Sequence, residues 1–232
     1  MYWSNEKGLF FVTAKHVILK DTGGALTSPL SLTSYTPGST GFQRCVLEID
    51  LPRALKDGEV HAHKTHDVAI VRVAFTEQKD GRNDVYFLHH VSAKELPDSG
   101  IMVATAVTLF ESAVVSNDAF VLGYPAAIGV FEIPQIDYTQ PLLRKGILAG
   151  KNFVKRTLIV DCPTYPGNSG GPVFEVDENQ LSRSMRLVGV VSEWIPFKEI
   201  WQNHPFGYQN QQLSNSGYTV VEPTDFILEL VR

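Results

Sequence analysis

Short apolar, β-branched runs separated by glycine, proline and polar turn residues recur along this 232-residue chain. Leu9-Phe10-Phe11-Val12-Thr13, Val46-Leu47-Glu48-Ile49, Val68-Ala69-Ile70-Val71-Arg72-Val73, Phe120-Val121-Leu122, Thr157-Leu158-Ile159-Val160 and Leu187-Val188-Gly189-Val190-Val191 have the composition of strands. Asn5-Glu6-Lys7-Gly8 predicts a tight hairpin between Tyr2-Trp3-Ser4 and the first long run. Many short strands with this punctuation predict barrels or a sandwich. A helical pattern is clear mainly at the end, where Pro223-Thr224-Asp225 precedes Phe226-Ile227-Leu228-Glu229-Leu230-Val231. No internal repeat or low-complexity tract interrupts the chain.

A chain of this length buries a large core, and two-barrel β proteins of this size fold as one unit. With 44% hydrophobic residues, 19% charged residues and a net charge of −5, the composition is that of a globular protein and argues against nucleic acid as a partner. No stretch reaches the roughly 18 uninterrupted apolar residues of a membrane span. The opening Met1-Tyr2-Trp3-Ser4-Asn5-Glu6-Lys7 lacks the basic start and apolar core of a signal peptide, so a cytoplasmic protein without a membrane partner is expected. Cys45 and Cys162 are the only cysteines and lie far apart. They read as buried, inert thiols suited to a reducing compartment, with a single bridge left open.

The chemistry concentrates at three places. Ser169 stands in Pro166-Gly167-Asn168-Ser169-Gly170-Gly171-Pro172, a glycine-rich turn that presents its hydroxyl outward. His16 closes Thr13-Ala14-Lys15-His16, and Asp67 opens Asp67-Val68-Ala69-Ile70. A serine hydroxyl is a poor nucleophile at neutral pH and needs an imidazole to take its proton and return it to the leaving group. A carboxylate that orients the imidazole completes the set. Each of the three has a bland reading alone: a loop serine, a strand-end histidine, a solvated turn aspartate. Their order and flanking patterns together point to nucleophile, base and acid. Backbone N–H groups of Gly167 and Ser169 would form the oxyanion hole, one of whose donors is typically worth about a hundred- to thousand-fold in turnover.

These motifs resemble those of the chymotrypsin-fold, trypsin-like serine peptidases of bacterial and HtrA-like type, and the resemblance covers nearly the whole chain. The histidine, Asp-hydrophobic-Ala-hydrophobic and Gly-Asn-Ser-Gly-Gly-Pro segments fall in the family's order, unlike the subtilisin and α/β-hydrolase orders. The resemblance implies an all-β fold of two packed antiparallel six-stranded-type barrels with a C-terminal helix. Residues 1–91 would carry His16 and Asp67, 92–117 would connect, 118–222 would carry Ser169, and 223–232 would be the helix. The connector holds Pro97-Asp98-Ser99-Gly100, and Gly123-Tyr124-Pro125 resembles a turn of bacterial relatives. Only fifteen residues precede His16 where the family carries an additional strand, so either the start is trimmed or the first barrel closes differently. The start also lacks the Ile-Val-Gly-Gly terminus of activated zymogens, and no PDZ-like extension follows the helix.

By the same resemblance Pro163 and Thr164 lie at the base of the specificity pocket and Ser192, Glu193 and Trp194 form its wall, with Ser192 pairing to an extended substrate. None of the base residues carries the negative charge that attracts Lys or Arg, so a small or medium apolar side chain before the cleaved bond is expected. His61-Ala62-His63-Lys64-Thr65-His66 has the alternation of a metal tract but no convincing further ligands, and reads as a solvated loop; His89-His90 read as strand-end residues. No metal or cofactor is implied. The reading is a serine endopeptidase acting on polypeptides; the alternative is a peptide-binding module on the same fold, silent or activated by a regulatory partner or flanking domain.

Overall fold

In this computed structural model all residues are described except 27, 39–40, 80–81, 96–105, 125–135, 138–139, 178–183 and 204. Pro97, Asp98, Ser99, Gly100 and Pro125 therefore lie outside the described residues. The N-terminal half runs β1 (Tyr2–Asn5), β2 (Gly8–Thr13), α1 (Lys15–Ile18), β3 (Leu30–Gly38), β4 (Gly41–Ile49), α2 (Leu51–Lys56), β5 (Val60–Ala62), β6 (Ala69–Lys79), β7 (Arg82–Phe87) and β8 (Val91–Glu95). The C-terminal half runs β9 (Asp118–Gly123), β10 (Leu142–Asn152), β11 (Thr157–Asp161), β12 (Pro172–Asp177), β13 (Ser184–Asn203), β14 (Tyr208–Pro223) and α3 (Thr224–Leu230). The fold is all-β with a closing C-terminal helix. Among the described residues no helix is long and apolar enough to cross a membrane.

The two halves close differently. Strands β9 to β14 form a closed six-stranded barrel in the order β10-β11-β14-β13-β12-β9. The N-terminal half is instead two hydrogen-bonded sheets, β1-β2-β6-β5 with β7 on β6, and β3-β4-β8. Its core lies between them: Leu9, Val71 and Val73 from one sheet meet Leu32, Leu47 and Ile49 from the other. The hairpin β1–β2 stands where the Asn5–Gly8 turn predicts it, pairing Asn5 with Gly8. Helix α2, which the hydrophobic pattern does not predict, starts because the Asp50 side chain accepts from the Arg53 N–H at 3.2 Å and Pro52 fits its first turn.

The near-continuous apolar runs of β2 and β6 follow from burial on both faces. Alternate residues Leu9 and Phe11, and Ala69, Val71 and Val73, face the core between the two sheets. The intervening Phe10, Val12, Val68 and Ile70 join Leu187, Val190, Phe226 and Ile227 in a separate cluster that links the two halves. Helix α3 is thus a wedge between them. The segment 106–117 packs along the C-terminal barrel, where Phe110 and Ala113 join that barrel's core and the Asp225 carboxylate accepts from the Phe110 N–H at 2.7 Å.

Candidate active site

Register places the first two residues together. Thr13, the last residue of β2, pairs with Ala69, the first of β6. The chain leaves both strands at the same end, so His16, three residues beyond, meets Asp67, two residues before. The single turn α1 then folds back, and the carboxylate takes both polar groups of His16: the ring Nδ1–H at 2.6 Å and the backbone N–H at 3.0 Å. The donating Nδ1–H leaves Nε2 as the basic nitrogen. That hydrogen bond to Asp67 raises the His16 pKa above its ordinary value, with burial opposing and the Asp67 and Glu193 charges assisting. Burial alone would push Asp67 up, but the hydrogen bonds from the His16 ring and backbone and from Ser192 outweigh it, and its carboxyl lies below the usual range.

Ser169 comes from the opposite half. Its turn is held by Asn168, whose side-chain oxygen accepts from the Tyr165 N–H at 3.1 Å while its backbone N–H donates to the Tyr165 carbonyl at 3.0 Å. The Gly170 N–H donates to the Val191 carbonyl at 2.7 Å, tying the turn to β13. Gly167 sits at φ 94°, a left-handed conformation open to glycine at no steric cost. Among the described residues, the backbone N–H groups of Gly167 and Ser169 have no partner within the protein. The Ser169 hydroxyl donates to the Ser192 carbonyl at 3.2 Å. Among the described residues it makes no hydrogen bond to His16.

His16, Asp67 and Ser169 line one cavity of about 380 Å³. Thr164, Ser192, Glu193 and Trp194 line it too, together with Tyr165, Pro166 and Val191. Pro163, expected at its base, does not: it is exposed, because its carbonyl turns outward to accept from Arg144 at 2.8 Å. Thr164 is buried beneath the cavity, its hydroxyl 2.8 Å from that of Thr219 and its carbonyl accepting from Asn215 at 2.6 Å. Beneath the cavity the polar side chains of Thr164, Thr219 and Asn215 are thus neutral and paired. Cys162 and Cys45 are free and buried, and burial pushes both thiols up.

The side-chain contact of Ser192, and Glu222 behind the cavity, escape a sequence reading. The Ser192 hydroxyl donates to Asp67 Oδ2 at 2.8 Å, so this residue of β13 touches Asp67 with its side chain and Ser169 with its backbone. Glu222, at the end of β14 and only 6% exposed, accepts from the Asp67 N–H at 3.3 Å and from His66 Nδ1 at 2.9 Å. His66 stacks on Phe226 with ring centroids 3.5 Å apart, and His63 pairs with Glu229 at 3.2 Å. Two histidines of the tract before Asp67 are therefore bound to carboxylates at the edge of α3. His90 donates to the Arg72 carbonyl at 2.8 Å, and His89 is exposed. Sequence carried no signal for Glu222, which lies 155 residues from Asp67. Glu222→Ala is expected to cost about 1–3 kcal/mol, the scale of stranding buried donors, or roughly 2–12 °C of melting temperature for a chain of this size. Scanning calorimetry of the variant beside Glu222→Gln, which keeps an accepting oxygen, checks this.

A family model described as a trypsin-like peptidase domain matches residues 1–182. No curated protein matches the chain. Among solved structures, the HtrA-type protease AlgW with a tripeptide is similar at 16% identity and a TM-score of 0.47, over 99% of this chain and 52% of that one. Protease Anisep from Arthrobacter nicotinovorans is similar at 16% identity and a TM-score of 0.47, over 95% of this chain and 79% of that one. The chain thus spans about half the length of the AlgW chain it matches.

Proposed function

Because this chain belongs to the family of trypsin-like peptidase domains, we propose that it is a serine endopeptidase working through an acyl-enzyme at Ser169. His16 Nε2 takes the hydroxyl proton as Oγ attacks the substrate carbonyl. The Gly167 and Ser169 N–H groups receive the oxyanion. His16 then returns the proton to the leaving amine, and the peptide bond breaks to leave the ester on Ser169. Water, deprotonated by His16, hydrolyses the ester and restores the hydroxyl. Asp67 keeps Nδ1–H facing itself and stabilises the imidazolium. The observation that carries this reading is the 2.6 Å contact of His16 with Asp67 on one wall of the cavity that Ser169 lines from the other half.

The Ser169 hydroxyl at rest on the Ser192 carbonyl refines the sequence of events. An extended substrate pairing with Ser192 brings its own N–H to that carbonyl, and the displaced hydroxyl turns about χ1 toward His16. The same contact favours the second reading, a peptide-binding module silent until a partner rearranges the turn. The neutral Thr164 floor and the apolar Val191, Pro166 and Trp194 walls support a small or medium apolar side chain before the cleaved bond. A fluorophosphonate probe tests the central claim. The folded protein is expected to be labelled, with labelling lost in Ser169→Ala. A folded sample that stays unlabelled sinks the endopeptidase reading and leaves the binding module.

A further inference from the structure

Strand β13 does not stop at the cavity. Beyond Trp194 it continues to Asn203 and returns as β14, a two-stranded ribbon paired from Pro196–Asn215 to Asn203–Tyr208. From Ser192 to Asn203 it extends roughly 30–35 Å at the rise of a strand. Past Val191, β14 is the only strand pairing with β13 among the described residues, so the other edge of β13 is open. Its large apolar side chains are exposed: Phe197 by 55%, Ile200 by 49% and Trp201 by 63%. Phe197 and Trp201 share one face by register and Ile200 takes the other. The facing run on β14, Gln209-Asn210-Gln211-Gln212, is polar. Apolar surface thus gathers on both faces of the strand that passes Ser169 at Ser192 and runs on into the ribbon. An exposed apolar edge of this length is a template for a further strand.

We propose that the open edge of β13 from Phe197 to Trp201 binds the substrate polypeptide several residues upstream of the cleaved bond, as an added antiparallel strand with apolar residues at alternating positions. The occupant follows from continuity: one strand carries both the Ser192–Trp194 cavity wall and the ribbon, so a chain paired at Ser192 that follows β13 through its register shifts at Ser192 and Ile195 reaches Phe197 and Trp201. Antiparallel pairing, by which the strands of both halves associate among the described residues, puts the N-terminal side of the substrate on the ribbon. Main-chain hydrogen bonds then supply affinity, and the spaced side chains supply selectivity. The charges on β13 here are Lys198 and Glu199, which offset each other and favour an uncharged partner. The substrate class is therefore an unfolded or extended segment with leucine, isoleucine or aromatic residues about five to ten positions before the scissile bond, as the length of the edge allows.

This proposal rests on the peptidase reading, and its test separates the two. Full-length protein is offered a library of sixteen-residue peptides, and each cleaved peptide is remade without its N-terminal eight residues and with that segment replaced by Gly-Ser. The intact peptides are expected to show kcat/KM at least about tenfold above both truncated forms, the scale of one or two well-seated apolar side chains. In Phe197→Ala and Trp201→Ala that ratio is expected to fall below about threefold. Alternate N-methylation of the upstream segment, which removes strand-pairing donors without altering the protein, is expected to abolish the gain. Cleavage with no dependence on the upstream segment overturns the ribbon proposal while the peptidase reading stands. If the folded protein neither cleaves nor takes the fluorophosphonate, the peptidase reading fails, and retention of the library on Ser169→Ala protein decides the ribbon: retention of apolar extended peptides that Trp201→Ala loses supports it, and none overturns it. Sedimentation showing a dimer that Trp201→Ala dissolves, with no peptide dependence, also overturns it in favour of a second copy of this chain.

Discussion

Asp67→Asn is expected to lower turnover by about ten-thousand-fold with the fold intact, the scale on which this exchange acts in the Ser-His-Asp template. An asparagine keeps the oxygen that accepts the His16 backbone N–H and an atom in reach of Ser192. It loses the charge and offers an N–H to Nδ1, which stabilises the tautomer with its proton on Nε2, where the serine proton must go. The pH profile shifts with it. In the wild type the hydrogen bond to Asp67 raises the His16 pKa above its ordinary value, so kcat/KM is expected to climb on a limb lying above the usual histidine range as His16 becomes neutral; in the variant the limb is expected to move down. Stability follows the same groups with opposite signs. A raised histidine contributes stability that is complete below its unfolded pKa and lost as pH rises through the folded value. A depressed carboxylate contributes stability present above its unfolded pKa and lost as pH falls through the folded value. His16 is half exposed, so the first contribution is small. A loss of turnover below tenfold would transfer the acid role elsewhere; Asp161, exposed on β11, does not line the cavity.

Much of this was legible because local chemistry dictated it. The β2 and β6 runs read as strands from composition alone, and burial on two faces explains why they lack a polar alternation. The glycine turn around Ser169 and the Asn5–Gly8 hairpin are short-range features that need no tertiary information. Residues assembled over long distances escaped. Glu222 touches Asp67 only because β14 delivers it beside α3, and Pro163 leaves the cavity only because Arg144, on another strand, takes its carbonyl. The ribbon escaped for a different reason. Gln209 to Gln212 has no apolar alternation, and the pairing of β13 with β14 rather than a core holds it extended. The two-sheet closure of the N-terminal half likewise depends on which edges pair, a choice that strand composition does not encode.

The joint between the halves yields the second large effect. Gly170 follows Ser169 with φ 78°, and a Cβ built there would stand 2.0 Å from Thr13 Oγ1 and 2.9 Å from the Ala14 backbone nitrogen. Thr13 and Ala14 lead directly into Lys15 and His16, so the turn that carries Ser169 rests against the segment that carries His16. Both surfaces are fixed: Thr13 is buried and laddered to Ala69, and the Gly170 N–H is tied to the Val191 carbonyl. Gly170→Ala therefore meets a backbone conformation costing about 1–2 kcal/mol for an L-residue together with an overlap that close packing relieves only by separating the two segments, typically about 1–3 kcal/mol more. A destabilisation of about 2–5 kcal/mol is expected from the sum, with urea unfolding as the measurement. Displacement by even about 1 Å at the reacting atoms costs on the order of a hundred-fold in rate, so kcat is expected to fall at least that far in the fraction that remains folded. Gly207, in the turn at the ribbon tip, also has a positive φ but meets nothing within 4 Å, and Gly207→Ala is the control for backbone strain alone. Equal losses of kcat in the two variants would mean that contact between the Ser169 turn and Thr13 does not set the distance from nucleophile to base.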